Sequence, residues 1–336
     1  MGMLIDGVWR HNTDRFLKGG AFKRETSELL SPTPEVVADR LQAEVSSVSL
    51  IVSQSCPWSH RTTLVRALKG LGDVTIAVAS GPRSEGYSVS EFSEADTGEI
   101  PIQYVHQFYS ATKRTYTGRA TVPLLWDHSA RTILCNSSAI IARALDQVGT
   151  GWRLAPACVT AEIDQLNARI YNGLANAVYR AGFATSQKAH AEAIADVFTT
   201  LDWLETQLSQ RRCLVGNQIT EADLFLFATL VRFDSVYAPL FRCTRRRLAD
   251  YPVLWAYARD LYAWPGIAGT FDSKANLEGY FQNDTDTNPH KIVPELPDLD
   301  WKAPHGRERL GRLTIWHNGT LVPFDDFWEV DHAACL

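Results

Sequence analysis

The sequence lacks the long apolar segments and the excess positive charge that mark several large classes of protein. No apolar run approaches the roughly 18 residues that a membrane-spanning helix needs, and no basic-then-apolar signal opens the chain. The net charge of -5 at pH 7 gives no electrostatic basis for binding nucleic acid or an anionic membrane. The one basic run, Arg245–Arg247, is typical of a solvated helix end. We therefore expect a soluble, cytoplasmic protein.

The cysteines also lack any paired spacing. They stand at positions 56, 135, 158, 213, 243 and 335, without the Cys/His pattern of a metal site. This predicts free thiols in a reducing compartment and no metal. With 336 residues and 45% hydrophobic composition, the chain has enough material for a large core and two domains.

Cys56 stands at a predicted turn from a strand to a helix. The apolar, partly β-branched run Val48–Val52 predicts a buried strand, and apolar residues at three- and four-residue spacing after Pro57 predict a helix that begins there. A thiol at this place faces unpaired backbone N–H groups and the positive end of the helix dipole, which favours its reactive thiolate form. The alternative is that Cys56 is one more buried structural cysteine.

Ser59 occupies the position where a dithiol oxidoreductase has its second cysteine. A lone thiolate can attack a sulfur and form a mixed disulfide, but no internal partner resolves that bond. The sequence therefore predicts a monothiol site that depends on an external thiol.

The residues around Cys56 predict an α/β domain. A second strand is expected at Val74–Val78, parallel to the first because a right-handed crossover joins them. Residues 80–115 are polar, aromatic and turn-rich, which predicts a long loop or insertion, and such loops are often functional. Two more strands, at Thr121–Asp127 and Thr132–Leu134, precede a helix from Asn136 onward.

The second half predicts an all-helical domain. Apolar residues repeat on one helix face over residues 163–174 and again over residues 194–208. Thr220 and Asp223 have the spacing of a helix capping box, which is a structural role.

Both ends of the chain contain predicted hairpins. Residues 1–45 form a polar, glycine-rich arm with a turn at Asp6-Gly7, and Leu313–Val322 turns at Asn318-Gly319. The second hairpin would either pair with the first or cover an exposed sheet edge.

Several segments, in one order along most of the chain, carry a family resemblance. They are Leu4–Arg10, Cys56–Thr62, Tyr116–Pro123, Val178–Ala184 and Asn288–Pro294. Together they resemble the Xi class of cysteine-type glutathione transferases, the glutathionyl-hydroquinone reductases. The resemblance implies a homodimer with the glutathione transferase fold: an N-terminal arm (1–45), an α/β thioredoxin-like thiol-binding domain (46–148), an all-α domain (155–283) and a C-terminal extension (284–336).

The resemblance also implies a seat for the thiol cosubstrate. The Val122-Pro123 peptide would be cis, leaving the Val122 backbone to pair with the cosubstrate, whereas the residues alone also allow a strand-edge proline. Ser137, which could also be a simple helix cap, would bind a carboxylate, and Arg119 would lie beside the site. Asn136 stands where the family has an acid or amide, with a register ambiguous by one residue.

Two departures from the family bear on the identity of the thiol. Asn136 supplies no carboxylate for the glutathione amine, and Tyr87 replaces the tryptophan that follows glycine in the family. Loss of a charge-assisted hydrogen bond, worth about 1.5–3 kcal/mol, would weaken the binding of glutathione without abolishing it. The cosubstrate is therefore glutathione or an equivalent low-molecular-weight thiol, with mycothiol as the alternative.

The resemblance also implies a pocket of aromatic side chains for the second substrate. Tyr179, Tyr237 and Tyr280 match tyrosines that line the hydroquinone pocket of the Xi class, and phenols can both stack on a ring and donate to its oxygen. Trp58 is either packing or a pocket wall. Tyr179 and Tyr280 would supply the proton that the departing aromatic fragment takes.

These parts predict a reductase that cleaves the C–S bond of thiol conjugates of hydroquinones through a Cys56 mixed disulfide. Two other interpretations stay open. One is a transferase or lyase of the same fold that makes or breaks a C–S bond in a specialised pathway. The other is a non-catalytic ligand-binding protein.

Overall fold

The computed structural model describes residues 2–325 except for 12–16, 25–26, 28, 30–31, 82, 84, 90–91, 93–100, 150 and 284–286. The chain forms two compact units. The first comprises Met1–Val148 and Gly269–Leu296, and the second comprises Gly149–Ala268 and Pro297–Leu336. None of the helices in the described ranges is long and apolar enough to cross a membrane.

The first unit is built on a mixed five-stranded sheet. Its strands, in the order β7-β6-β5-β8-β9, pair antiparallel except for β5 and β6, which run parallel as predicted. Helices α1, α2 and α4 pack together beside it. The elements are α1 (Pro34–Ala43), β5 (Val48–Val52), α2 (Pro57–Leu68), β6 (Thr75–Ser80), β7 (Ser88–Val89), α3 (Val105–Thr112), β8 (Leu124–Asp127), β9 (Thr132–Cys135) and α4 (Ser138–Val148).

The central strand β5 is buried along its whole length, which explains its continuous apolar sequence. A hydrophobic cluster on one side of the sheet joins Ile51 and Leu124 to Phe108 and Tyr109 of α3. The predicted α/β thioredoxin-like domain is confirmed, and its first helix begins at Pro57 as expected.

The prediction of a loop over residues 80–115 was wrong at both ends of that segment. Strand β7 adds an edge to the sheet, and α3 forms a helix of eight residues. Helix α3 is stabilised at its start by Gln107, whose side-chain oxygen accepts hydrogen bonds from the N–H groups of Gln103 (2.7 Å) and Tyr104 (2.9 Å). Its apolar face, with Phe108 and Tyr109 fully buried, completes the core.

The N-terminal arm carries two short hairpins: β1 (Met3–Ile5) with β2 (Val8–Arg10), and β3 (Leu17–Lys18) with β4 (Ala21–Phe22). The first turns at Asp6-Gly7 as predicted, where both residues have positive φ. Leu4 and Gly118 exchange two backbone hydrogen bonds of 2.9 Å, so the arm is fixed next to the segment that leads to Val122-Pro123.

The second unit is mainly helical, as predicted. Two π-helical turns, at Tyr171–Ala175 and Phe233–Tyr237, follow α5 and α8. Tyr171 is the first residue of the first π-turn, and Tyr179 lies on the helix that follows that turn. The helices are α5 (Thr160–Ile170), α6 (Ala177–Gly182), α7 (Gln187–Leu208), α8 (Glu221–Leu230) and α9 (Pro252–Tyr262).

The capping box of the second unit is confirmed. Asp223 accepts hydrogen bonds from the Thr220 N–H (3.0 Å) and hydroxyl (2.8 Å), and also from the Leu214 N–H (2.8 Å) and the Tyr257 hydroxyl (2.7 Å). Burial raises the pKa of this carboxyl, and these four donors oppose the shift. The box therefore acts in folding, as expected.

Helix α10 (Ser273–Phe281) belongs to the first unit. This differs from the predicted boundary, which assigned residues up to 283 to the helical domain. The physical reason is a close approach to the turn that precedes Cys56: a Cβ atom on Gly279 would lie 2.6 Å from the Ser55 Cβ. Sequence periodicity alone does not reveal which unit a helix joins.

The C-terminal hairpin is confirmed as β11 (Thr314–His317) and β12 (Thr320–Pro323). It pairs antiparallel with β10 (Trp152–Arg153) of its own unit and forms a three-stranded sheet, whereas the N-terminal hairpin is a separate sheet of two strands. Residues 326–336, which include Cys335, lie outside the described residues.

Candidate active site

Cys56 is the N-cap residue of α2. Its carbonyl accepts the first helical hydrogen bond from His60 N–H (3.0 Å), and its Sγ accepts from Ser59 N–H (3.4 Å). The thiol also donates to the carbonyl oxygen of Val122 (3.4 Å). The side chain is partly exposed. Cys56 therefore has the helix-start position and the access that a nucleophilic thiol needs.

Three serines support the turn that carries Cys56. The Ser59 hydroxyl accepts a hydrogen bond from the Ser53 N–H (3.2 Å), and the Ser53 and Ser55 hydroxyls are bonded to each other (3.2 Å). All three are buried. Ser59 thus serves as a support for the turn at the place where a resolving cysteine would stand.

The Val122-Pro123 peptide bond is cis, as the resemblance implies. It precedes strand β8, and among the described residues the Val122 N–H has no hydrogen-bond partner. The carbonyl of Val122 faces the Cys56 thiol. The cis peptide group therefore lies directly beside the Cys56 thiol.

Tyr109 fixes the backbone just before that peptide, a role that the sequence analysis missed. Its hydroxyl donates to the Thr121 carbonyl (2.9 Å) and accepts from the Thr121 N–H (3.2 Å) and from Asn136 Nδ2 (3.2 Å). Complete burial is the main cause that raises the pKa of this phenol. Tyr109 therefore stays protonated and joins α3, the Val122 segment and Asn136.

Asn136 has a fixed orientation. Because the single Tyr109 proton goes to Thr121, the group facing Tyr109 must be a donor, which identifies it as the amide nitrogen of Asn136. The same nitrogen donates to the Ser27 hydroxyl (2.9 Å). Among the described residues no group donates a hydrogen bond to the amide oxygen, which is an uncharged acceptor.

Ser137 precedes α4, and its carbonyl accepts from the Ile141 N–H (2.9 Å), which places it at the N-cap. Its own N–H donates to the sulfur of Cys135 (3.4 Å). Burial raises the pKa of the Cys135 thiol to about 11, so that cysteine remains a protonated packing residue at neutral pH. Ser137 therefore presents its hydroxyl beside a helix N-terminus.

Arg119 lies in the segment that the N-terminal arm and two phenols hold in place. Its carbonyl accepts from the Tyr116 hydroxyl (3.1 Å), which is also 3.4 Å from the Ser27 hydroxyl. Tyr116 and Tyr109 pack ring against ring with centroids 5.0 Å apart. One hydrogen-bonded network thus connects Arg119, Thr121 and Asn136.

Two arginines that the sequence analysis missed contact predicted site residues. The guanidinium of Arg83 lies over the ring of Tyr87 at 4.3 Å from its centroid. That of Arg24 lies over the ring of Trp58 at 4.2 Å. Trp58 therefore packs against the arm in addition to standing next to Cys56.

The predicted tyrosines fall in both units. Tyr280 is on α10 of the first unit, next to Gly279, which meets Ser55. Tyr179 and Tyr237 belong to an aromatic cluster of the second unit, in which each contacts Phe241. Tyr237 is fully buried, whereas Tyr179 and Tyr280 are each 7% exposed. Burial favours a packing role for Tyr237, and its substrate role stays a prediction.

Within the first unit, Cys56 contacts the cis peptide directly, and Asn136 is linked through Tyr109 to Thr121, which precedes that peptide. The same unit contains Ser137, Tyr280, Tyr87 and Arg119. No cluster of metal-binding side chains occurs within the described ranges. The fold and the site define a class: thioredoxin-fold proteins in which a single cysteine at a helix start faces a cis-proline peptide.

Comparison with known proteins narrows this class. The family described as Glutathione S-transferase, N-terminal domain, matches residues 55–147, and Glutathione S-transferase, C-terminal domain, matches residues 187–260. The chain is 41% identical to glutathionyl-hydroquinone reductase YqjG of Escherichia coli, over 92% of this chain and 99% of that protein. It is 40% identical to glutathionyl-hydroquinone reductase PcpF of Sphingobium chlorophenolicum, over 88% and 96%.

Solved structures of similar proteins give the same family. A Xi-class glutathione transferase from Natrialba magadii superposes with a TM-score of 0.81 at 37% identity, covering 93% of this chain and 98% of that one. A glutathione-bound structure of the Escherichia coli relative gives 0.76 at 37% identity, covering 91% and 99%. The chain belongs to the glutathione transferase family, in its Xi class of glutathionyl-hydroquinone reductases, and is an enzyme of that class.

Proposed function

We propose that this enzyme is a thiol-dependent reductase that cleaves the C–S bond of a glutathionyl or similar thiol conjugate of a hydroquinone or related aromatic compound. The observation that carries the proposal is the position of Cys56: a partly exposed thiol at a helix start, next to the Val122 carbonyl, with Ser59 in place of a second cysteine. Such a thiol can form a mixed disulfide and depends on a second thiol to release it.

The reaction consists of two sulfur-transfer steps. In the first, the Cys56 thiolate attacks the sulfur of the conjugate, the S–C bond breaks, and its electron pair stays with the aromatic fragment in its keto form, which takes a proton. In the second, a thiolate attacks the Cys56 mixed disulfide, a disulfide of the small thiol leaves, and the Cys56 thiolate returns. The net change converts the conjugate and one free thiol into the reduced arene and one disulfide, whose second sulfur comes from the conjugate.

The Val122 peptide, Asn136 and Ser137 are the proposed seat of the thiol. In this proposal the Val122 N–H and carbonyl pair with the cysteinyl part of the cosubstrate, and the contact between that carbonyl and the Cys56 thiol supports it. The Ser137 hydroxyl and the start of α4 suit a carboxylate. Tyr87 and Arg119 are the further proposed contacts of the thiol.

Asn136 bears on which thiol is used. Its free amide oxygen can accept from an ammonium group or from a neutral amide N–H, and it gains no ion pair with either. Glutathione offers an amine and mycothiol an acylated nitrogen beside its cysteine. We infer that the enzyme accepts glutathione and that a thiol without a free amine, such as mycothiol, is a competent alternative.

Tyr280 is the proposed proton donor from the first unit. Its neighbour Gly279 meets Ser55, which precedes Cys56, so the phenol is carried on a helix that packs against the nucleophile's own turn. The roles that the resemblance implies for Tyr179 and Tyr237, and for Trp58 as a pocket wall, are further proposals. The homodimer is also a proposal.

The test compares Cys56→Ala and Cys56→Ser with the unsubstituted enzyme, using a purified glutathionyl-hydroquinone and either glutathione or mycothiol. Both variants should lose arene release, because neither alanine nor a serine hydroxyl forms the disulfide. Turnover by the unsubstituted enzyme with the formation of a new C–S bond, instead of its cleavage, would identify a transferase. No turnover with any thiol would contradict catalysis of this reaction.

A further inference from the structure

Arg83 makes contacts with three parts of the candidate site. Its Nη2 donates to the Ser55 hydroxyl (3.2 Å), one residue before Cys56, and approaches the carbonyl of Gly279 (3.4 Å), one residue before Tyr280. The guanidinium also covers the ring of Tyr87. One side chain therefore connects the nucleophile's turn, the tyrosine helix α10 and the proposed thiol contact.

The backbone of Arg83 strengthens the same connection. Its N–H donates to Asn283 Oδ1 (3.1 Å), and Asn283 Nδ2 donates to the carbonyl of Gly279 (3.1 Å). Both bonds end at or just beyond the C-terminus of α10, where free carbonyl groups need donors and a positive charge is favourable. Arg83 thus holds the end of that helix from two directions.

The interface that Arg83 closes has no spare room. A Cβ atom on Gly279 would lie 2.6 Å from the Ser55 Cβ and 2.9 Å from its hydroxyl oxygen. Glycine therefore permits α10 to approach the Cys56 turn, and the Arg83 hydrogen bonds reach both sides of that approach. Steric fit and hydrogen bonding therefore both fix the distance between α10 and the turn that precedes Cys56.

The geometry points to Arg83 as a positioning residue for the reaction: it sets the position of Tyr280 relative to Cys56 by holding α10 against Ser55. This inference rests on the proposed function, because it assigns Arg83 to the step in which the aromatic fragment takes a proton. Arg83 acts through Tyr280 and does not itself touch the reacting atoms.

A coupling experiment tests this role. We expect Arg83→Ala to lower kcat for reduction of a glutathionyl-hydroquinone about tenfold, the order expected for the loss of a hydrogen bond from a charged group. Arg83→Lys should recover only part of the loss, since an ammonium group cannot both stack on Tyr87 and donate in a planar fork. Arg114→Ala is the matched control, because Arg114 is exposed and takes part in none of these contacts.

The decisive comparison repeats Arg83→Ala in a Tyr280→Phe background. If Arg83 acts through the Tyr280 hydroxyl, Arg83→Ala should lower kcat less than twofold in the Tyr280→Phe background. The hydroxyl that Arg83 positions is already absent in that background. An undiminished tenfold loss would overturn the inference.

Hydrogen exchange supplies a readout that does not depend on activity. Arg83→Ala should speed amide exchange in α10, and Arg114→Ala should not. Unchanged exchange in α10 would overturn the inference even if the unsubstituted enzyme were inactive toward the conjugate. Inactivity of the unsubstituted enzyme would refute the proposed function alone.

Discussion

Replacing Tyr109 with phenylalanine tests whether the hydrogen-bonded network behind the cis peptide determines thiol binding. The ring would stay in the core, but the hydroxyl bonds to Thr121 and Asn136 would be lost. At about 1 kcal/mol for each of two or three bonds, we expect the free energy of unfolding to fall by about 2–3 kcal/mol.

The effect on catalysis should be confined to the thiol. If the displaced Val122 peptide loses one hydrogen bond to the cosubstrate, worth about 1 kcal/mol, the KM for the thiol should rise about fivefold. The kcat should change less than twofold, since Cys56 keeps its own contacts.

The assay combines urea unfolding with steady-state kinetics at varied thiol concentration. Tyr104→Phe is the control, because Tyr104 directly precedes the same helix and no hydrogen bond of its hydroxyl is present among the described residues. A Tyr109→Phe enzyme that is less stable but has an unchanged thiol KM would exclude a role of the Tyr109 hydroxyl in thiol binding. It would show that the phenol supports the fold without shaping the site.

Two further predictions concern Asn136 and an ion pair. Asn136→Asp should lower the KM for glutathione about tenfold, because a carboxylate can pair with the amine of glutathione. It should not lower the KM for mycothiol, and an equal decrease for both thiols would contradict this role of the carboxylate. For Asp127, burial favours a raised pKa, but hydrogen bonds from Arg40 (2.6 and 3.1 Å) and Ala130 bring the pKa below the ordinary value of an aspartate. The pair therefore stabilises the fold fully above that ordinary pKa, and this contribution should disappear as the pH falls through the lowered pKa. Urea unfolding against pH should show a smaller acid loss in Arg40→Met, and an unchanged loss would contradict the assignment.

The Cys56 turn could be predicted from sequence because its signals are local. An apolar strand, a proline at the first helical position and a repeating apolar face all lie within about 25 residues. The hairpins at Asp6-Gly7 and Asn318-Gly319 were predictable for the same reason. The cis state of Pro123 came from the family resemblance, since the residues alone do not decide it.

The supporting residues could not be predicted in the same way. Val105, Phe108 and Tyr109 have the three- and four-residue spacing of one helix face. The polar residues that precede them favoured a loop instead, so the sequence did not reveal that Tyr109 lies in the core. Arg83 has no local signature at all. Its partners Ser55 and Gly279 lie 28 and 196 positions away, and only the packing of α10 brings them together.

The proposed mechanism requires a mixed disulfide on Cys56, and trapping that disulfide tests the mechanism without relying on kinetics. The enzyme is mixed with a glutathionyl-hydroquinone without free thiol, quenched in acid and digested, and the peptide containing Cys56 is weighed by mass spectrometry. We expect one glutathionyl group on Cys56 for each equivalent of hydroquinone released. Release of hydroquinone with Cys56 unmodified, or undiminished turnover by Cys56→Ala, would contradict it.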